Sequence, residues 1–115
     1  MDRIELKVPS KPSYLQAIRL TTSSLANLLG FSVDDVEDLK VIISELVTYV
    51  LPLNDEIHVI YELEEDELRM IVHTEQNFYG DESLDRETDM KRQILATLTD
   101  RIDFSEDTIT VLKKK

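Results

Sequence analysis

The sequence predicts an α+β protein: a two-layer α/β sandwich with three helices on one face of a five-stranded, mostly antiparallel sheet. Three observations lead there. The elements read in the order strand, helix, helix, hairpin, helix, hairpin. Each helical stretch carries one apolar stripe, so each has one surface to cover. The extended stretches alternate, which gives a sheet with one buried face and one partly wet face bearing Arg3, Glu5, His58, Glu62 and Arg69. One sheet covered by three helices satisfies every stripe.

The first strand spans residues 3–8, with Ile4, Leu6 and Val8 on one side and Arg3, Glu5 and Lys7 on the other. Pro9 and Pro12 break it. A helix is expected over 13–29, where Leu15, Ile18, Thr22, Leu25 and Leu29 stand one above another and Gly30 suits a left-handed C-terminal cap. The second helix, over 33–51, carries the strongest signal. Val36, Leu39, Ile43, Leu46, Val47 and Val50 share one face, Ser32 can cap its start, and Pro52 ends it. Beside that stripe runs a narrow row of Asp38, Ile42, Glu45 and Tyr49.

Residues 57–63 and 68–72 alternate across Glu64-Glu65-Asp66 and read as an antiparallel hairpin. From Thr74 to Glu87 there is no periodicity and an excess of acids, so this stretch is expected to be exposed and mobile. Met90, Ile94, Leu95 and Leu98 mark a third helix beginning at Thr88 or Asp89, and Met90, like Met70, falls on a core stripe. Residues 101–104 and 108–112 form the closing hairpin around Ser105-Glu106-Asp107.

The 115 residues suit a single domain, 1–115, with a core of its own. The absence of Cys removes disulfides, thiolate catalysis and Cys-based metal sites. With only Gly30 and Gly80, no glycine-rich phosphate cradle can be built. The net charge of −11, from 24 acids against 13 bases, argues against nucleic acid, which needs clustered Lys and Arg. The acidity suits either solubility or a partner with a basic surface. No apolar run approaches the roughly 20 residues that span a bilayer, so a cytoplasmic location without membrane contact is expected. His58 and His73 stand on the polar phase of adjacent strands with no third ligand, which predicts no metal site.

Glu45 is the candidate for chemistry. The run Ser44-Glu45-Leu46-Val47-Thr48-Tyr49-Val50, closing a helix that follows strand, Pro-containing turn, long helix and Gly, resembles a motif of bacterial anti-sigma-factor serine kinases. These belong to the ATPase superfamily shared by histidine kinases, DNA gyrase and Hsp90. The resemblance covers nearly the whole chain and is most specific over residues 31–50. It implies the kinase-like (Bergerat-type) ATPase fold, a homodimer, and Glu45 as the general base.

The departures from that pattern are equally specific. Tyr49 stands where the family has the Asn that holds Mg²⁺, and a phenol is a poor ligand for that ion. Thr74 stands at the family's adenine-binding Asp, and Gln76 at the Gly that follows it. The phosphate loop should lie near residues 83–91, which contain no Gly. Tyr49 is expected to fill the vacated space alongside Ile42. The resemblance with its losses therefore implies a degenerate relative: no cofactor, a vestigial Glu45, and regulation by binding a sigma factor or its antagonist. The alternatives are an active ATP- and Mg²⁺-dependent serine/threonine kinase, with Glu45 as base and a carboxylate such as Asp38 on the metal, and a module that has kept only the fold for dimerisation or interaction.

Overall fold

The structure is a computed structural model that describes residues 2–80 and 86–115. Strand β1 (Asp2–Pro9) leads through a 3₁₀ turn (Pro12–Tyr14) into α1 (Leu15–Leu29) and α2 (Val33–Val50). The hairpin β2 (Glu56–Leu63) and β3 (Glu67–His73) follows, then a 3₁₀ turn at Phe78–Gly80, α3 (Arg86–Leu98), and the hairpin β4 (Arg101–Phe104) and β5 (Thr108–Lys114). The strands form one sheet in the order β1-β2-β3-β5-β4, and every neighbouring pair is antiparallel. β1 and β4 are its edges. The expected sandwich is present, with the three helices layered on the sheet.

Local signals account for most boundaries. Gly30 ends α1 at φ 83°, the left-handed region in which a side chain is strained, and its N–H caps carbonyls of Ala26 and Asn27. The Ser32 hydroxyl accepts from the Asp35 N–H at 3.1 Å and starts α2, and Asp34 and Asp35 complement the helix dipole there. After Val50 the chain turns, with the N–H groups of Leu53 and Asn54 both donating to the Val50 carbonyl.

The core lies between α1, α2 and the sheet. From α2 come Val36, Leu39, Ile42, Ile43, Leu46, Val47 and Val50; the sheet supplies Ile57, Val59, Tyr61, Leu68, Met70, Val72, Ile109 and Val111. Ile42, placed by pattern on the flanking row, is fully buried. One polar pair sits within this layer: the Tyr61 and Thr22 hydroxyls lie 2.8 Å apart, and Thr22 also donates to the Ile18 carbonyl. That bond ties sheet to helix and leaves neither hydroxyl unpaired. Burial pushes the Tyr61 phenol up to about 12.

Two expectations need correction. Met90 and Ile94 do not face the core: they are 57% and 54% exposed, and on α3 only Leu95 is fully buried. The helix rides the margin of the sheet, so its contact is narrower than its apolar stripe. It also starts at Arg86, ahead of Thr88. The second correction concerns 74–87, expected to be exposed throughout. Thr74 and Tyr79 are buried, and 78–80 form a turn; residues 81–85 of that stretch lie outside the described residues. Among the described residues no helix is long and apolar enough to cross a membrane, and no three metal-binding side chains converge.

Leu46 is fully buried at the centre of this packing. Leu46→Ala should cost about 2–5 kcal/mol in urea denaturation with an unchanged denaturant slope, as large-to-small core changes do. Val41→Ala, on the exposed face of the same helix, should move stability by less than about 0.5 kcal/mol.

Candidate functional site

The last turns of α2 place Glu45 and Tyr49 one above the other on the flank of the buried stripe, facing the chain that leaves β3. That chain turns inward. Asn54, beyond the end of α2, donates from Nδ2 to the His73 carbonyl at 2.8 Å, and its Oδ1 accepts the Glu75 N–H at 2.9 Å. The Thr74 N–H donates to the Asp107 carbonyl at 2.8 Å, and the Thr74 hydroxyl donates to the Gln76 carbonyl at 2.5 Å. Asn77 reaches from Nδ2 to the carbonyls of Ser105 and Thr108. These bonds carry the backbone back over α2.

Tyr79 is what they deliver. Its side chain is 2% exposed, with its ring 4.0 Å from that of Tyr49, tilted 34°, and 5.8 Å from that of Phe104. The Tyr79 hydroxyl donates to Glu45 Oε1 at 3.3 Å, and the Tyr79 carbonyl accepts from Arg92 on α3. The Tyr49 hydroxyl accepts the Phe78 N–H and donates to the Gln76 carbonyl at 3.4 Å. Lys91 Nζ stands 3.7 Å from Glu45 and 3.8 Å from Glu87.

Of the four residues singled out from sequence, Glu45 and Tyr49 meet at the Tyr79 side chain, which sequence reasoning missed, while Thr74 and Gln76 join them through the Gln76 carbonyl, which accepts from the hydroxyls of both Thr74 and Tyr49. Phe104, Lys91, Arg92, Asn77 and Asn54 were missed as well. The available signal for Tyr79 was compositional: the adjacent aromatics Phe78 and Tyr79 stand alone in an acidic, aperiodic stretch. Asp38 does not join the group. It and Asp35 lie 3.5 and 3.6 Å from Lys113 Nζ, which also donates to the Leu98 carbonyl.

The electrostatics follow from burial and one charge. Burial raises the Tyr79 phenol far above its ordinary value, and the Glu45 carboxylate beside it adds to the rise. Burial raises Tyr49 too, against the pull of its backbone N–H partner. Glu45 accepts a hydrogen bond, faces an ammonium group and keeps about a third of its side-chain surface in water. The open space left beside it is a cleft of about 50 Å³ lined by Val41, Glu45, Lys91, Ile94 and Leu95. Larger hollows, of about 370 and 360 Å³, lie on the outer sheet face and beside Leu28 and Leu63, and neither touches the four residues.

Comparison with known proteins places the chain. A serine-protein kinase RsbW of Oceanobacillus iheyensis is 38% identical over 93 residues, covering 76% of this chain and 59% of that protein. The RsbW of Bacillus subtilis strain 168 is 36% identical over 104 residues, covering 85% and 61%. The chain is a homologue of the RsbW serine-protein kinases. It spans about half to three fifths of the length of such relatives, the RsbW of Bacillus licheniformis being matched over 48% at 43% identity. A crystal structure of the RsbU and RsbW domains of a Mycobacterium tuberculosis protein superposes with a TM-score of 0.76 at 14% identity, over 99% of this chain and 32% of that one, and shows the shared fold. No family model matches the sequence.

The Tyr79 phenol makes a pH prediction for this RsbW homologue. Its folded pKa is raised, so the stabilisation is complete below pH 10, the ordinary tyrosine range, and is lost as pH climbs above it. Tyr79→Phe should lose less stability than wild type between pH 9 and pH 11, read as the difference in urea midpoints. Identical slopes in the two proteins would refute a buried, protonated Tyr79. Tyr49→Phe should in turn expose the Phe78 amide to faster hydrogen exchange, since its acceptor is removed.

Proposed function

We propose that this chain is an RsbW-like regulator that acts in the cytoplasm by binding a protein, a sigma factor or the antagonist of one, without using a nucleotide. The observation that carries the reading is Tyr79, set between Tyr49 and Phe104 with its hydroxyl on Glu45. In the serine kinases it resembles, the position of Tyr49 holds the metal and that of Glu45 serves the chemistry. Here both side chains are engaged by an aromatic of the same chain.

The fit of a metal–nucleotide is poor on four counts. Tyr49 offers a phenol already bonded to the Phe78 amide and the Gln76 carbonyl, in place of a hard oxygen ligand. Thr74 spends its hydroxyl on the Gln76 carbonyl. The cleft of about 50 Å³ beside Glu45 is far below the roughly 300–1,000 Å³ of ligand pockets. Asp38, the alternative metal ligand, is paired with Lys113. Glu45 then contributes by accepting the Tyr79 hydroxyl and pairing with Lys91, which joins α2 to α3. The net charge of −11 supports a partner with a basic surface through long-range attraction.

Thermal unfolding with nucleotide separates this reading from an active kinase. A ligand at about 100 times its dissociation constant adds roughly 2.7 kcal/mol of stability. For a protein near this size each kcal/mol moves the melting temperature by about 4–8 °C. Millimolar ATP or ADP with Mg²⁺ is expected to produce no shift. A rise of several degrees that needs both nucleotide and Mg²⁺, and disappears in Glu45→Ala, would overturn the binder and restore the kinase.

A further inference from the structure

The last turn of α1 leaves apolar surface that the fold does not cover. Gly30 stops the helix at its φ of 83°, and the Phe31 N–H turns back to the Ala26 carbonyl at 3.1 Å, so the chain departs for α2 just past Leu29. Leu28 and Val33, on either side of this turn, are 76% and 79% exposed, more than any other large hydrophobic among the described residues. Between Arg19 and Asp34 no residue is charged, in a chain that is 32% charged, so no long ionic side chain of the neighbouring turns lies over Leu28. Beside it is a hollow of about 360 Å³ with Leu28, Leu29 and Leu63 as its apolar wall and Asp2, Glu64 and Glu65 as the rest of its lining. The sheet fixes that lining: Asp2 is paired with Leu63 across β1 and β2, and the Glu64 N–H donates to the Glu67 carbonyl at 3.0 Å to close the β2–β3 turn. None of the three acids has an ion-pair partner among the described residues. The Lys115 ammonium lies against Gly30, at the same end of α1, and pairs with none of them.

We propose that this hollow is a docking site for a segment of a partner protein that presents two large apolar side chains flanked by Lys or Arg. Size sets the first half of that description. A cavity of about 150 Å³ accepts one benzene, so a hollow of about 360 Å³ suits two side chains of that bulk. The acids set the second half. Three unpaired carboxylates around an apolar wall repel one another, and cationic groups of a partner relieve the repulsion while their alkyl stems extend the apolar contact. The same acids disfavour a phosphate-bearing occupant, whether nucleic acid or an anionic bilayer. The inference rests on the reading that this chain acts by binding a protein. It places the contact away from Glu45, Tyr49 and Tyr79, none of which lines the hollow.

A random-peptide display selection on the immobilised chain tests this, with the enriched peptides then synthesised and their Kd measured by fluorescence anisotropy. Enriched peptides should share a pair of large apolar residues within a few positions of Lys or Arg. Leu28→Gln should weaken them about tenfold or more, through the loss of one buried leucine contact. Leu28 is exposed, so the urea midpoint of that variant should stay near wild type and its loss of binding is not a loss of folding. Glu64→Gln with Glu65→Gln should weaken the peptides roughly threefold to tenfold at low salt and much less at high salt. Glu87→Gln with Glu106→Gln removes the same charge elsewhere and should change Kd by less than about twofold, which separates the lining from the overall charge of −11. A selection that enriches nothing, peptides without basic residues, or binding that Leu28→Gln leaves unchanged would overturn the proposal. Self-association of the chain that Leu28→Gln abolishes would overturn it too, by giving the hollow to a second copy. The nucleotide experiment reads the Glu45 site and not this one: a shift with ATP and Mg²⁺ would restore the kinase without moving peptide affinity, and absent peptide binding would leave the nucleotide-free reading in place.

Discussion

The rotational setting of α2 is the constraint on which the rest of the structure depends. Seven of its side chains are buried against the sheet and α1. At about 1.5–3 kcal/mol for each large apolar side chain, that burial outweighs any single polar contact, which nets roughly 0.5–1.5 kcal/mol. The helix therefore cannot turn to suit the residues on its flank. Glu45 and Tyr49, one turn apart, are carried to the margin between α2 and the chain leaving β3 whether or not anything awaits them there. The core positions the site, and what occupies the site has to fit that position.

Tyr79 fits it by dividing its surface. Its ring replaces water against Tyr49 and Phe104, where aromatic pairs contribute about 0.5–1.5 kcal/mol beyond their burial. Its hydroxyl would be costly to bury alone, and Glu45 removes that cost. Glu45 can accept the bond without itself becoming a buried charge, because it remains partly hydrated and faces Lys91. Arg92 fixes the backbone from the far side through the Tyr79 carbonyl. Since α3 buries only Leu95 in full, these two basic side chains and the aromatic cluster form much of its attachment. Lys113 adds a tie at the other end, joining the Leu98 carbonyl to Asp35 and Asp38 of α2.

Periodicity made the sandwich legible. A stripe at helical spacing or an alternating strand has one low-energy way to lie on a core, so α1, α2 and both hairpins could be placed from residues alone. The same logic found the Glu45–Tyr49 row, because a row beside a strong stripe has a known direction. It failed where periodicity is silent or ambiguous. Met90 and Ile94 are spaced as core residues are, but spacing does not say whether a helix lies over the middle of a sheet or its margin. Tyr79 belongs to no periodic element; its burial depends on bonds such as Asn77 to Ser105 and Thr108, between residues far apart in sequence. Asn54 gives no separate signal in the sequence, because a turn and a buried clamp use the same residue type.

On the proposed reading, closing the site with a side chain of the same chain also changes what can control it. A bound nucleotide is a separate molecule whose concentration and hydrolysis can shift a conformational equilibrium, and a ligand shifts an equilibrium only by its differential affinity for the two states. A tethered tyrosine has a fixed effective concentration and no product to release. On the reading proposed here, the affinity for a protein partner is therefore constant with respect to cellular ATP. Release must come from a competitor for the same surface or from a change in the amount of either protein. Displacement by competition needs the rival to bind more tightly by about 1.4 kcal/mol for each tenfold excess of the first partner. On the same reading, specificity between two such partners must reside in the docking surface itself, since no nucleotide state is there to distinguish them.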